Sequence, residues 1–328
     1  PPGGHPVPFQ PTGGDRVPNK IVVVCGPTAS GKTALGVELA LLAGGEVVSA
    51  DSMQIYRGMN IGTAKPTPAE MRGVPHHMLD VADPAEDYSV ARYVADASAC
   101  VEDILARGRL PILVGGTGLY IDHLVAGREF APFSGRWREK LQARAAAQGV
   151  APLYDELRRV DPQRAEKLHP NDERRILRAL EVWYETGETI TAHDLRTAAL
   201  PPRYAAVRIG LSFARRADLW ERIDRRVDQM AADGLTEEVR GLLASGVPRS
   251  CTAMQAIGYK ELAAALDAGA PVDGALEEIK LRSRQYAKRQ LTWFRRNPAV
   301  KWLLWEKTPD LSRARRDATA YLEENGLL

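Results

Sequence analysis

Two short stretches hold the residue types from which chemistry can be built. The first is GPTASGKT, residues 26–33, which fits G-x-x-x-x-G-K-[ST] between an apolar run and a helix-patterned segment. Gly26, Pro27, Thr28, Ala29, Ser30, Gly31, Lys32 and Thr33 form a loop whose backbone N–H groups, with the N-terminus of the following helix, converge on one anion. Lys32 adds a charge that can reach phosphate oxygens, and the Thr33 hydroxyl can hold Mg²⁺. This establishes polyphosphate binding but not a reaction: a kinase, a GTPase or an enzyme that expels pyrophosphate could all use it.

The second is Asp51, two residues past the apolar run 46–49. In an open parallel sheet, ligands lie beyond the carboxyl ends of the strands, so Asp51 and Lys32 are expected to face one crevice. A carboxylate beside polyphosphate needs an intervening Mg²⁺ or a task as base toward a second substrate. The bland alternative is that it caps a turn through an Asx bond. GGTG, residues 115–118, brings Thr117 to the same edge, or is merely a tight turn into a helix. PHHMLD, residues 75–80, has no metal-ligand spacing, so His76 and His77 are read as loop structure outside the site.

The elements that must position these residues are legible from hydrophobic period. KIVVVCG from Lys20 is apolar throughout, as in a buried parallel strand, and residues 31–45 follow with helical spacing and a Gly-Gly stop. The same grammar recurs as a strand over 110–114, a glycine turn, and a helix from about 118 to 125. A helix over 89–108 lies between them. The alternation predicts an α/β fold, a P-loop NTPase-like parallel sheet core with right-handed crossovers. Residues 134–200 break the pattern with successive amphipathic helices and no strand, so an inserted all-helical domain is expected there. The core resumes over 201–328 with a strand at 204–213, further helices, a last long helix near 272–296 and a possible edge strand VKWLLW. Residues 1–19, rich in Pro and Gly, are expected to be a disordered tail; the core's first part is 20–133.

The 328 residues exceed the size at which one core usually stays single, which favours two domains or one with a large insertion. A net charge of +2 decides nothing about nucleic acid, since clustering matters rather than the sum. Cys25, Cys100 and Cys251 are too few and too scattered for a disulfide framework or a zinc site. No run approaches membrane-spanning length, so a cytoplasmic protein is expected, with a monomer as the default state.

With these residues in view, the chain resembles the tRNA dimethylallyltransferases, also called tRNA isopentenyltransferases. The resemblance rests on GPTASGKT, DSMQIYRGMNIGTAKP (51–66), GVPHHMLD (73–80), YSVARY (88–93), GGTGLYI (115–121), HPNDERRILRALEV (169–182), AIGYKEL (256–262) and RQYAKRQLTWFRR (284–296). It implies transfer of a dimethylallyl group from its diphosphate to the N6 amine of the adenosine 3′-adjacent to the anticodon, with release of pyrophosphate. By the same resemblance Asp51 is the base, Thr117 is oriented toward nucleotide or leaving group, and Arg138 contacts substrate, with Arg136 as the alternative. Asp51, Ser52, Met53 and Gln54 line the flipped base. Arg174, Arg175 and Arg178 meet the anticodon stem-loop, and Mg²⁺ is the implied cofactor.

On the residues alone, those three arginines could equally be a solvated basic face balanced by Glu173 and Glu181. Tyr286, Trp293 and Phe294 are expected to pack their helix on the core rather than stack bases. An adenine-nucleotide prenyltransferase and a P-loop small-molecule kinase remain the alternative functions.

Overall fold

The computed structural model describes residues 18–131 and 135–328, so the tail expected over 1–19 lies, but for its last two residues, outside the described residues. In chain order the elements are β1 (Asn19–Cys25), α1 (Lys32–Ala43), β2 (Glu46–Ser49), α2 (Pro68–Met71), β3 (His76–His77), α3 (Val90–Ala106), β4 (Pro111–Gly115) and α4 (Gly118–Ala126). Five helices follow: α5 (Arg136–Gln148), α6 (Ala151–Val160), α7 (Pro162–Glu166), α8 (Glu173–Thr186) and α9 (Ile190–Ala198). The chain returns through β5 (Tyr204–Phe213), α10 (Arg216–Ala232), α11 (Leu235–Ala244), α12 (Tyr259–Ala268), α13 (Val272–Phe294), β6 (Val300–Trp305) and α14 (Leu311–Glu324).

All six strands run parallel in the order β3-β2-β4-β1-β5-β6. The apolar run of β1 has a direct cause, because the sheet is covered on both faces. Ile21, Val23 and Cys25 enter a core shared with α3, α4, α11 and α12, while Val22 and Val24 enter another shared with α1, α10 and α14. Successive side chains of a strand point to opposite faces, so a strand between two cores cannot alternate apolar with polar.

Leu141, Leu153, Leu157, Ile176, Leu177 and Leu180 form a third core among α5, α6 and α8, apart from both sheet faces. His76 and His77 are not loop residues: they form the two-residue edge strand β3, paired with Val47 and Val48. No apolar run announces it, and the pairing comes from β2. The long helix α13 is followed by another, α14, which packs against α1.

Candidate active site

The carboxyl ends of β1, β2 and β4 bring together the phosphate loop, Asp51 and the Gly116–Thr117 turn. Gly26 opens the loop at φ +142°, and a Cβ there would lie 2.2 Å from the Leu211 carbonyl oxygen, so only glycine lets the loop leave β1 beside β5. Three distant side chains fix the loop. The Thr28 N–H donates to Gln290 Oε1 at 2.8 Å, Trp305 Nε1 donates to the Ser30 carbonyl at 2.7 Å, and Arg222 Nε donates to the Ala29 carbonyl at 2.9 Å. Gln290 also donates from Nε2 to the Gly116 carbonyl at 3.0 Å, which ties loop and glycine turn to one buried side chain on α13. Lys32 Nζ donates to the Pro27 carbonyl at 2.6 Å.

The turn after β2 is held as tightly. The Ala50 N–H donates to Val114, the Thr117 N–H donates to the Ala50 carbonyl at 3.1 Å, and the Ser52 N–H donates to Thr117 Oγ1 at 3.1 Å. Thr117 is thereby a buttress of the Asp51 turn. Asp51 Oδ1 accepts the N–H groups of Met53 at 2.8 Å and Gln54 at 3.3 Å. This is the Asx cap anticipated as the bland reading. It engages one oxygen only: Oδ2 accepts no hydrogen bond from the described residues.

Two crevices meet at Asp51. The larger, about 870 Å³, is lined by residues 28–34 of the loop, Gln54, Arg222 and Arg226. The smaller, about 280 Å³, is lined by Ser52, Met53 and an apolar wall that includes Ile223, Val227, Leu235 and Ile279. Asp51, Thr28, Arg226 and Tyr286 border both. Burial, then the Arg226 guanidinium, pushes the Lys32 ammonium down to about 8, with Asp51 opposing. Burial also lowers Arg226, again with Asp51 opposing. Two desolvated cations beside one carboxylate leave positive charge unneutralised, which favours an anionic ligand. Burial and the Asp51 charge raise Tyr286 to about 12, so it stays a neutral phenol.

Arg222, Arg226, Tyr286 and Gln290 were not singled out for the site by sequence. The arginines lie four apart in α10, a helix whose four arginines are balanced by four acidic residues, a pattern that many solvated helices share. His76, placed outside the site on sequence grounds, lines the larger crevice.

The arginines of the helical segment divide by their contacts. Arg138 and Arg178 are not among the residues lining either crevice. Arg138 donates to Glu181 at 2.8 Å and Arg178 to the same carboxylate at 2.9 Å, and Arg178 also donates to the Ala131 carbonyl at 2.8 Å. Glu181 is 1% exposed, so it is a buried charge compensated by two cations and not part of a solvated face. Arg174 and Arg175 stay exposed, and Arg136 sits over the Trp137 ring on α5. The aromatics of α13 divide: Phe294 is buried in the core, Tyr286 borders the crevices, and Trp293 is 37% exposed with Nε1 donating to Asp122 Oδ2 at 2.8 Å.

Among the described residues no group of three His, Cys, Asp or Glu side chains could enclose a metal ion. Mg²⁺ commonly binds one or two protein oxygens together with substrate phosphates and water. The Thr33 hydroxyl, in the first turn of α1 and on the larger crevice, suits that manner of binding.

The IPP transferase family model matches residues 54–297, and the isopentenyl transferase model matches 19–87. A tRNA dimethylallyltransferase of Caldanaerobacter subterraneus is 46% identical over 306 residues, 92% of this chain and 97% of its own. One from Geobacillus thermodenitrificans is 50% identical over 285 residues, 86% and 90% of the respective chains. The crystal structure of a tRNA isopentenylpyrophosphate transferase from Bacillus halodurans superimposes with a TM-score of 0.69 at 42% identity, covering 94% of this chain and 98% of that one. A eukaryotic dimethylallyltransferase acting on tRNA superimposes with a TM-score of 0.78 at 30% identity, covering 92% and 77%.

Proposed function

This chain belongs to the IPP transferase family, and from that premise we propose that it transfers a dimethylallyl group from dimethylallyl diphosphate to the N6 amine of the adenosine 3′-adjacent to the anticodon in tRNA, releasing pyrophosphate. The observation that carries the reading is the position of Asp51. Its uncommitted Oδ2 stands where a cationic crevice floored by a phosphate loop meets a smaller, largely apolar one.

The diphosphate binds along residues 28–33 with Lys32, Arg222 and Arg226 at hand. As the allylic C1–O bond breaks, negative charge grows on the departing oxygen, and preoriented N–H groups and cations stabilise it most at that moment. The Thr33 hydroxyl would hold Mg²⁺ together with the bound diphosphate, and the ion would supply Lewis-acid stabilisation of the leaving group. The adenine amine is a weak nucleophile because its lone pair is delocalised into the ring. As the N6–C1 bond forms, Asp51 Oδ2 takes one N6 proton, so the product leaves neutral at nitrogen. Ser52, Met53 and Gln54 line the entry of the unstacked base, and the exposed Arg174 and Arg175 reach backbone phosphates of the stem-loop. The enzyme acts as a monomer in the cytoplasm.

Labelled dimethylallyl diphosphate offered with Mg²⁺ and either unmodified tRNA or AMP tests the reading. Label is expected in tRNA; label in AMP alone would reject the proposal in favour of a nucleotide prenyltransferase. ATP consumption with a small acceptor and no prenyl transfer would point to a kinase.

A further inference from the structure

The segment IGTAKP, residues 61–66, follows the Asp51 turn and has no period of its own, yet its contacts are specific. Three successive backbone N–H groups converge on one carboxylate. Asn60 donates to Glu238 Oε2 at 3.0 Å, Ile61 donates to Oε2 at 2.9 Å and Oε1 at 3.1 Å, and Gly62 donates to Oε1 at 3.2 Å. The Tyr259 hydroxyl donates to the same Oε1 at 2.5 Å. Gly62 lies flat on that tyrosine, since a Cβ there would come within 2.5 Å of the ring, and Tyr259 is fully buried.

The far side of the same loop grips the active-site turn. Gln54 Nε2 donates to the carbonyls of Thr63 and Ala64, both at 3.1 Å, while Gln54 Oε1 accepts from Ser49 Oγ at 3.0 Å. The Gln54 N–H in turn donates to Asp51 Oδ1. Asp51 is therefore connected through Gln54 and the 60–64 loop to a carboxylate on α11, with no step longer than a hydrogen bond.

We propose that Glu238 is a positioning residue for prenyl transfer: through the loop at 60–64 and Gln54 it sets the orientation of the Asp51 carboxylate toward the adenine amine. The inference rests on the prenyl-transfer reading. It also explains why a charged residue that lines neither crevice accepts four hydrogen bonds from one loop. A general base works only within hydrogen-bond reach of its proton, so a small rotation of Asp51 costs rate rather than substrate affinity. The phosphate loop has separate anchors in Gln290, Trp305 and Arg222, so Glu238 reaches the diphosphate only through the 60–64 loop that lines the same larger crevice.

The test compares Glu238→Ala, Glu238→Gln and Tyr259→Phe with the unaltered chain, using dimethylallyl diphosphate and unmodified tRNA. Glu238→Ala is expected to lower kcat roughly 10- to 100-fold, with KM for the diphosphate changed by a clearly smaller factor. Glu238→Gln keeps an acceptor oxygen for the loop and should recover at least half of the loss on a logarithmic scale. Tyr259→Phe keeps the packing, loses only the hydroxyl that orients the carboxylate, and should lower kcat about two- to fivefold. A diphosphate KM that rises as much as kcat falls, or a kcat unchanged in all three variants, would overturn the assignment. Amide hydrogen exchange gives a readout that needs no turnover. Glu238→Gln is expected to speed exchange at residues 51–54 as well as 60–64, and faster exchange confined to 60–64 would refute the coupling even if the prenyl-transfer reading itself failed.

Discussion

Because Oδ1 of Asp51 is occupied by two backbone N–H groups, only Oδ2 is left to receive a proton, and the two tasks can be separated by substitution. Asp51→Asn keeps an oxygen for the turn and loses the base. Its kcat is expected to fall by about 10²- to 10⁴-fold, the usual worth of a positioned general base. Its tRNA affinity should stay within a few-fold by filter binding, and a large affinity loss with turnover retained would show the role to be misassigned. Gln290 has no such division, since both ends of its amide are used inside the protein. Gln290→Leu leaves the Thr28 N–H and the Gly116 carbonyl unpaired, at about 1–3 kcal/mol in stability. The diphosphate KM should rise together with the loss in denaturant midpoint; a lost midpoint with unchanged KM would show that the loop keeps its shape unaided. Asp51 and Lys32 were legible because a strand end and a glycine loop fix where a side chain must emerge. Gln290 was not, because a glutamine in a basic helix gives no hint that it reaches a turn 174 residues earlier.

At the scale of elements, β2 is the strand on which Asp51 depends, and its first residue is a buried glutamate. Hydrogen bonding by Arg107, then His77, with their charges, holds Glu46 down at about 2 despite burial, with Arg109 3.2 Å away. A carboxylate whose folded value lies below its ordinary one stabilises the fold above that ordinary value, here 4.5, and loses the contribution as pH falls toward 2. On the order of 3 kcal/mol is at stake. Stability followed by urea titration from pH 6 to pH 3 should therefore decline, and Glu46→Gln should flatten the decline while starting from a lower value. The same cluster explains why the sequence reading of 75–80 went astray. His77 is neither a metal ligand nor a loop residue, but one wall of a carboxylate cage on a strand too short for any period to reveal. The strands β1, β2, β4 and β5 were legible because both faces are buried, whereas α2 and α7, at four and five residues, are too short to show a helical period.

For the whole molecule, the helical segment presents two kinds of arginine that sequence alone could not tell apart. Arg174→Ala with Arg175→Ala should weaken tRNA binding and reduce the slope of log affinity against log salt by about 0.9 for each lost phosphate contact, with melting unchanged. An unchanged slope would return these residues to the status of a solvated face. Arg178→Ala strips one of two cations from a buried carboxylate and should lower the melting temperature, because an undercompensated buried charge is costly. The phosphate loop raises a different matter, that of time. It is complete in sequence by residue 33, yet the groups that hold it come from residues 222, 290 and 305. A chain emerging from the ribosome N-terminus first has made its most recognisable motif long before it has made the parts that shape it. Products that stop short of residue 290 carry the signature of a diphosphate-binding protein without Gln290 or Trp305 to shape it, so interrupted synthesis is expected to leave fragments that hold the allylic donor more weakly than the whole chain.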